Sequence, residues 1–341
     1  MTEQGFRAPS AGPLTTTMLA MVQDEYGEAE DVLRAERIER PSIGDDEVLI
    51  RVSAAGVDRG VWHQVAGLPY PIRLAGFGLR APKNRVPGTD VAGRVEAIGR
   101  DVTTLGVGDE VFGAAAGSFA EYARAKADLL TIRPPGLSAQ QAAAVPVSAT
   151  TALRAVRDHG RVTAGQKVLI IGASGGVGTF AVQIAKSAGA EVTGVCSASK
   201  VGLVTALGAD HVVDYTTTDV ADAGERYDVV LDIGGNRALS TLRRVLTPRG
   251  TLVIVGGETD GRWLGGTDRQ VRAMLLSRFV GQRLGTFIAS PNAADLAELR
   301  ALLEAGTVVP VIDRSMPLTE AAAAIRHLQQ GRARGKVVLT M

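Results

Sequence analysis

The stretch KVLIIGASGGVG, residues 167–178, decides the fold. Its first half is a continuous apolar run, as expected for a strand that is buried on both faces of a sheet. A glycine-rich turn follows, and Val177, Ala181 and Ile184 then fall on one stripe of a helix. A glycine loop between a buried strand and an amphipathic helix is the setting that a dinucleotide-binding fingerprint requires.

The spacing inside the loop supports that interpretation. Ala173, Gly175 and Gly178 take the places of the three fingerprint glycines, and Gly172 directly precedes the alanine. We expect the backbone N–H groups of the loop and the helix dipole to hold a pyrophosphate. The alternative is a structural turn without a ligand. The cofactor-binding residues predicted in the loop are Ala173, Ser174, Gly175, Gly176, Val177 and Gly178.

Strands and helices alternate along the rest of this half of the chain. Short apolar runs at 191–195, 211–215, 227–235 and 250–257 are separated by helical segments. Such alternation predicts parallel strands joined by crossover helices, which form a doubly wound sheet. Before residue 133, short β-branched runs alternate instead with Gly and Pro, as in an irregular strand-rich domain. The sequence therefore predicts an α/β protein with two domains.

The stretch EVTGVCSASK, residues 191–200, predicts which dinucleotide is bound. A carboxylate about 20 residues past the loop usually holds the ribose of NAD, and here Cys196 stands near that position. Ser197 can donate to phosphate oxygens and Lys200 supplies a positive charge, so NADPH is the predicted cofactor. Tyr215, at the end of the next strand, is expected to close over the adenine. The alternative is a solvated lysine beside a core cysteine.

The composition argues against several classes of protein. The formal net charge is +1, from 37 basic and 36 acidic residues, which leaves no electrostatic footprint for nucleic acid or an anionic membrane. Cys196 is the only cysteine, so no intrachain disulfide forms and a cytoplasmic location is expected. No apolar run approaches the roughly 20 residues of a membrane helix. Residues 1–17 are expected to be a loosely ordered N-terminal extension.

Several motifs in order along the chain resemble one known family. They are VPGTDVAGRVEAIGRDVTTLGVGDEVFG (86–113), GSFAEYARAKADLLTIRPPGLS (117–138), the glycine loop and GRARGKVVL (331–339). Together they are similar to the zinc-independent, quinone oxidoreductase-like branch of the medium-chain dehydrogenase/reductase superfamily. The resemblance covers nearly the whole chain. It implies a GroES-like catalytic domain at 18–140, a Rossmann NADPH-binding domain at 141–288 and a C-terminal return to the catalytic domain at 289–341.

The resemblance also implies that the cofactor lies in the cleft between the two domains and that the protein is a homodimer. By the same resemblance, Thr150, Gly234, Gly256 and Phe287 are expected to line the nicotinamide end of the cleft. Lys336, in the GRARGKVVL motif, is expected to approach the cofactor.

Alcohol dehydrogenases of the same superfamily hold a catalytic zinc, whereas this sequence lacks the ligands for one. The ligand positions correspond to Asp58, to Thr89 in place of a histidine, and to Pro146, which cannot ligate through its side chain. Tetrahedral zinc needs three or four converging N, S or O donors. The four histidines show no ligand spacing, and a single cysteine cannot build a structural zinc cluster. We therefore expect no metal.

Without a metal, negative charge on a substrate oxygen has to be stabilised by hydrogen bonds. Hydride addition to a C=C bond conjugated to a carbonyl can be stabilised by hydrogen bonds alone, because the charge delocalises into an enolate. The candidate catalytic residues are His63 as proton donor, Asp58 as an orienting group and Tyr70 in the pocket wall. A surface histidine, a turn aspartate and a packing tyrosine are the alternatives.

The sequence thus predicts an NADPH-dependent reductase of quinones or of the C=C bond of α,β-unsaturated carbonyl compounds, with a small molecule as substrate. Two other functions fit the same residues. One is zinc-independent reduction of an aldehyde or ketone, and the other is a nucleotide-binding scaffold protein without turnover.

Overall fold

The computed structural model describes residues 16–222, 224–256 and 263–341. The N-terminal extension expected at 1–17 lies outside these ranges, apart from Thr16 and Thr17. In chain order the strands are β1 (Thr17–Val22), β2 (Arg34–Glu39), β3 (Glu47–Val57), β4 (Asp90–Ile98), β5 (Glu110–Ala114), β6 (Tyr122–Lys126), β7 (Leu130–Ile132), β8 (Lys167–Ile171), β9 (Glu191–Cys196), β10 (His211–Asp214), β11 (Tyr227–Asp232), β12 (Leu246–Ile254), β13 (Arg283–Thr286), β14 (Ile312–Pro317) and β15 (Lys336–Thr340).

The helices connect these strands. They are α1 (Ala29–Val32), α2 (Arg59–Ala66), α3 (Ala139–Ala143), α4 (Pro146–Arg154), α5 (Gly176–Ser187), α6 (Val201–Ala206), α7 (Leu239–Arg244), α8 (Thr267–Leu276), α9 (Ala293–Glu304) and α10 (Ala321–Gln329), with π-helical turns at Arg73–Phe77 and Ala155–Gly160.

Within the described residues, the second half of the chain forms a six-stranded parallel sheet in the order β10-β9-β8-β11-β12-β13. The chain builds one half from β8 outward to β10 and then crosses to β11, so the strand order reverses between β8 and β11. Ligands of doubly wound sheets bind at the carboxyl ends of the strands beside such a reversal. The predicted α/β class and the parallel Rossmann-like sheet are confirmed.

Strands from the first half of the chain and the last two strands, β14 and β15, form the GroES-like sheet, with strand order β14-β15-β3-β4-β5-β7, and β6 also pairs with β3. The last strand of the chain runs antiparallel to β3, with Val337 opposite Val57 and Thr340 opposite Ala54. The end of the described chain therefore returns to the sheet that β3 to β7 form, whereas β1 and β2 pair in a separate two-stranded sheet.

A continuous core joins the two sheets. Buried Ala54, Ala92 and Phe112 of the GroES-like sheet pack in one cluster with α3, α4, α5 and β8. Three of the five residues of α3 are alanine, and most buried residues of α4 are small, so the backbones of these helices can approach both sheets closely. The boundary expected between residues 140 and 141 falls within α3, in this shared core, and stays a prediction. The cleft described next opens at the same junction.

Candidate active site

A cleft of about 730 Å³ lies where the two sheets meet, within the usual range for small-molecule sites. Residues 57–60, at the end of β3 and the start of α2, form one wall together with Lys336 of β15. The opposite wall consists of the glycine loop and the segments that follow β9, β11 and β12. The predicted site residues that line the cleft are Asp58, Ser174, Gly175, Gly176, Val177, Ser197, Lys200, Tyr215, Gly234, Gly256 and Lys336.

The glycine loop has the shape of a phosphate cradle, although the turn begins one residue earlier than the spacing suggested. Gly172 has φ +84°, a conformation that glycine adopts without strain. Gly172 therefore makes the tight turn, and the alanine that follows it, Ala173, is fully buried. A Cβ on Gly178 would lie 2.1 Å from the carbonyl oxygen of Gly172. That close approach holds α5 against β8, and the start of α5 at Gly176 faces the cleft. A pyrophosphate fits this arrangement.

The far end of the cleft carries the cationic group expected for a ribose phosphate. Lys200 donates through Nζ to the carbonyl oxygens of Gly331 at 3.2 Å and Ala333 at 2.9 Å. Burial lowers the pKa of Lys200, and the neighbouring Arg334 lowers it further. Arg334 is exposed and was not among the predicted residues, because nothing in the sequence shows that 331–335 returns to this place. Ser197 borders the same end of the cleft.

Two residues expected at the nicotinamide end lie elsewhere. Thr150 is fully buried inside α4, and Thr151, one position further along the helix, borders the cleft instead. Phe287 stacks on His159 with ring centroids 4.1 Å apart and is not among the lining residues. The strand-end segments at Gly234 and Gly256 do form that part of the wall.

A buried charged cluster lies at the junction of the walls. Nζ of Lys336 is 3.0 Å from Oδ2 of Asp90 and 3.0 Å from the hydroxyl oxygen of Ser148. Oδ1 of Asp90 accepts from the backbone N–H of Val147 at 2.8 Å. Lys336 is 1% exposed and Asp90 is fully buried. Burial raises the pKa of Asp90 to about 6, Lys336 opposes that shift, and Asp58 adds to it.

Asp58 connects this cluster to α2. It is the N-cap of the helix, and its Oδ1 accepts from the backbone N–H of Val61 at 3.1 Å. The second oxygen, Oδ2, is buried and has no hydrogen-bond partner among the described residues. A buried carboxylate oxygen without a partner is costly, and Asp58 also borders the cleft, where a ligand can reach it.

The other two candidate catalytic residues lie away from the lining of the cleft. Nδ1 of His63 is 2.5 Å from the carbonyl oxygen of Leu68, which closes the turn after α2. The Tyr70 ring packs edge-on against Trp263, with centroids 5.2 Å apart. A Cβ on Gly265 would lie 2.9 Å from Cγ of Pro69, so this turn contacts the segment that precedes α8. Tyr70 thus lies where the two halves of the molecule meet, and His63 fixes the turn that leads to it.

The donor set does not fit a zinc ion. Oδ2 of Asp90 is engaged by the ammonium of Lys336, and the hydroxyl of Thr89 accepts from Gln64 at 3.1 Å. Over residues 16–222, 224–256 and 263–341, no group of three or more His, Cys, Asp or Glu side chains converges as metal ligands would. In the same ranges, no helix is long and apolar enough to cross a membrane.

Comparison with known proteins agrees with this geometry. Residues 44–135 match the alcohol dehydrogenase GroES-like domain, and residues 207–339 match the zinc-binding dehydrogenase family. The chain is 31% identical to the quinone-oxidoreductase homolog, chloroplastic, of Spinacia oleracea, over 94% of this chain and 98% of that protein. The chain belongs to the quinone oxidoreductase-like branch of the medium-chain dehydrogenase/reductase superfamily.

Other members of this superfamily extend the match. A 2-methylene-furan-3-one reductase of Solanum lycopersicum is 31% identical over 96% of this chain and 80% of its own length. The structure of the quinone oxidoreductase from Coxiella burnetii has a TM-score of 0.83 at 27% identity and covers 95% of this chain and 99% of its own. Medium-chain dehydrogenase/reductases are oxidoreductases that use nicotinamide cofactors.

Proposed function

We propose that this protein is an NADPH-dependent reductase of quinones or of the C=C bond of α,β-unsaturated carbonyl compounds, and that it acts without zinc. The observation that carries the proposal is the buried Lys336–Asp90 pair, because Asp90 directly follows Thr89, the residue that replaces the histidine ligand of zinc-dependent relatives. A fixed ammonium in that place provides positive charge without a metal ion. The names of two relatives, a quinone oxidoreductase homolog and a 2-methylene-furan-3-one reductase, support the substrate class.

The adenosine end of the cleft supports NADPH as the cofactor. Ser197 offers a hydroxyl, and Lys200 is held by two carbonyl oxygens with Arg334 close by. A ribose phosphate carries nearly two negative charges, and charge-assisted donors of this kind recognise it. The glycine loop would hold the pyrophosphate, with the side chain of Lys336 directly behind Gly176. When bound, NADPH supplies the hydride.

The residues of the chain would then manage charge and the proton. Reduction of a conjugated C=C bond places negative charge on a carbonyl oxygen, and a hydrogen-bond donor or a cation near that oxygen lowers the barrier. Lys336, Ser148 and Thr151 are polar groups on this part of the wall. Asp58 borders the cleft and is the best placed of the three candidate catalytic residues. Tyr70 lies at the contact between the two halves and would act by holding that contact, whereas His63 would act through the turn after α2.

Product analysis separates the proposed reaction from its alternatives. The purified protein is incubated with NADPH and a cyclic enone, and the products are separated by gas chromatography. We expect the saturated ketone. The allylic alcohol would instead identify a carbonyl reductase. Binding of NADPH without oxidation across a panel of quinones, enones, aldehydes and ketones would identify a scaffold protein.

We also propose that the protein is a homodimer that pairs through the edge of the parallel sheet. Among the described residues β13 is one of the two edge strands of this sheet, and β10 is the other. Unpaired edges invite pairing with another chain. Phe279 is 84% exposed and Ile288 is 93% exposed, on the two sides of β13. Sedimentation at micromolar concentration should give a dimer, and Ile288→Asp together with Phe279→Asp should give a monomer. A wild-type monomer would disprove the proposal.

We propose a cytoplasmic location for the protein. Cys196 is a free, buried thiol, as in proteins of reducing compartments. The spinach relative, by contrast, is named as chloroplastic. Fractionation of the source cells tests the location directly.

A further inference from the structure

Arg269, in the first turn of α8, points inward and contacts a buried carboxylate. Its Nη1 lies 2.7 Å from Oδ2 of Asp232, the last residue of β11. The Arg269 side chain is 14% exposed and that of Asp232 is fully buried. Burial raises the pKa of Asp232 to about 6, and Arg269 acts against that shift. This ion pair shares no residue with the Lys336–Asp90 cluster.

The same guanidinium holds the backbone of two segments at the carboxyl end of the sheet. Nη1 donates to the carbonyl oxygen of Arg237 at 3.0 Å. Nη2 donates to the carbonyl oxygens of Gly235 at 3.0 Å and Gly256 at 3.1 Å. These three residues line the cleft. One side chain therefore connects the segment after β11, the segment after β12 and the helix α8.

Asp232 holds the same segments from below. Its carbonyl oxygen accepts from the backbone N–H groups of Val255 at 2.9 Å and Gly256 at 3.2 Å. A Cβ on Gly235 would lie 2.5 Å from Oδ1 of Asp232, so the first segment rests directly on the carboxylate. Arg269 and Asp232 thus both contact segments of the cleft wall and hold them in place. Neither residue lines the cleft itself.

We infer that Arg269 is a positioning residue that fixes the wall around the nicotinamide half of the cofactor and leaves the adenosine half unaffected. The segments it holds contain Gly235 and Gly256, whereas the adenosine end is formed by Ser197 and Lys200, which Arg269 does not contact. The inference rests on the proposed function in naming NADPH. Only an arginine suits the task, because its planar fork serves a carboxylate and three carbonyl oxygens at once.

The test compares two ligands by calorimetric titration. NADPH fills the whole cofactor site, and adenosine 2′,5′-bisphosphate contains only the adenosine half. For Arg269→Gln we expect the Kd of NADPH to rise roughly ten- to a hundredfold, the range for losing charged hydrogen bonds. The Kd of the bisphosphate should stay within about twofold of wild type. The matched control is Arg272→Gln, which removes an exposed arginine from the same helix and should change neither value.

The inference is overturned if Arg269→Gln weakens the binding of NADPH and of the bisphosphate equally, or weakens neither. Because Arg269→Gln leaves Asp232 buried without its cation, the double variant Asp232→Asn with Arg269→Gln is measured as well. It removes both charges, and it should bind the bisphosphate normally and NADPH weakly. Wild-type affinity for NADPH in that variant would also overturn the inference.

An error in the choice of cofactor would give a different result from an error in the role of Arg269. A wild-type protein that prefers NADH would disprove the choice of NADPH, and the same comparison is then made with NADH and AMP. Arg269→Lys completes the series. It keeps the charge beside Asp232 without the fork, so the dinucleotide should still bind weakly, and full recovery would show that the charge alone matters.

Discussion

Lys336 and Asp90, 246 positions apart in the chain, form a buried ion pair of 3.0 Å that joins β15 to β4 within the GroES-like sheet. The pair also reaches Ser148 in α4, so it connects the two walls of the cleft. A buried pair of this kind contributes little net stability while intact, but the loss of one partner leaves an unpaired charge.

Lys336→Met should therefore destabilise the protein by about 3–5 kcal/mol, because Asp90 is left buried without its cation. Urea unfolding followed by circular dichroism measures the change. Asp90→Asn combined with Lys336→Met removes both charges and should recover most of the loss. A single variant as stable as wild type would show that water replaces the ammonium.

The pKa of Asp90 predicts a pH dependence of stability. Its value of about 6 in the folded protein exceeds the roughly 3.9 of an unfolded aspartate, so the folded state binds this proton more tightly. Stability contributed by Asp90 is then highest below about pH 4 and falls as the pH rises towards 6. Asp90→Asn should lack this component. Unfolding free energies from pH 4 to 7 for both proteins give the difference, and parallel profiles would contradict the assignment.

Lys200→Ala should weaken NADPH more than NADH, by about 1–3 kcal/mol for a charge-assisted contact. The lysine needs little reordering to bind, since two carbonyl oxygens already hold its ammonium. Fluorescence titration with both cofactors is the measurement. Lys126→Ala serves as a control, because that lysine is exposed and pairs with Asp46. Equal losses for both cofactors would remove Lys200 from the ribose-phosphate site.

Asp58→Asn isolates the chemistry of a single oxygen. Asparagine caps a helix as well as aspartate does, so α2 should stay intact. We expect turnover to fall by ~10²–10⁴, the range for general acid–base catalysis. His63→Ala should alter stability more than rate, because His63 closes the turn after α2. Normal turnover in both variants would assign protonation to solvent.

Turnover should not depend on zinc, given that Asp90 is paired with Lys336 and Thr89 with Gln64. The protein is treated with a chelator, dialysed, and measured by plasma mass spectrometry together with its activity. We expect full activity with less than stoichiometric metal. Stoichiometric zinc whose removal abolishes turnover would disprove the proposal.

The sequence predicted the glycine loop well because its signal is local. A buried strand, a turn and an amphipathic helix lie within one short stretch, and backbone geometry follows from their order. Thr150 shows the limit of such reasoning, because a shift of one position along a helix turns a side chain by about 100°. Thr151 borders the cleft as a result.

The two ion pairs could not be predicted in this way. Lys336 meets Asp90, and Arg269 meets Asp232, only after strands from distant parts of the chain have come together. Neither pair has a spacing or a motif of its own. The cleft-lining glycines were predictable from the resemblance, whereas the side chains that hold their segments in place were visible only in three dimensions.

The position of β15 between β14 and β3 has a consequence for the synthesis of the protein. β3 leaves the ribosome long before β15 does, and until then its edge lacks the neighbour that it has in the finished sheet. The six strands of the parallel sheet, by contrast, are all translated before β15 and can pair while synthesis continues. Domains generally fold as units during translation, so the half that binds the cofactor should be formed first, and the half that contributes Asp58 and Lys336 should close over it last.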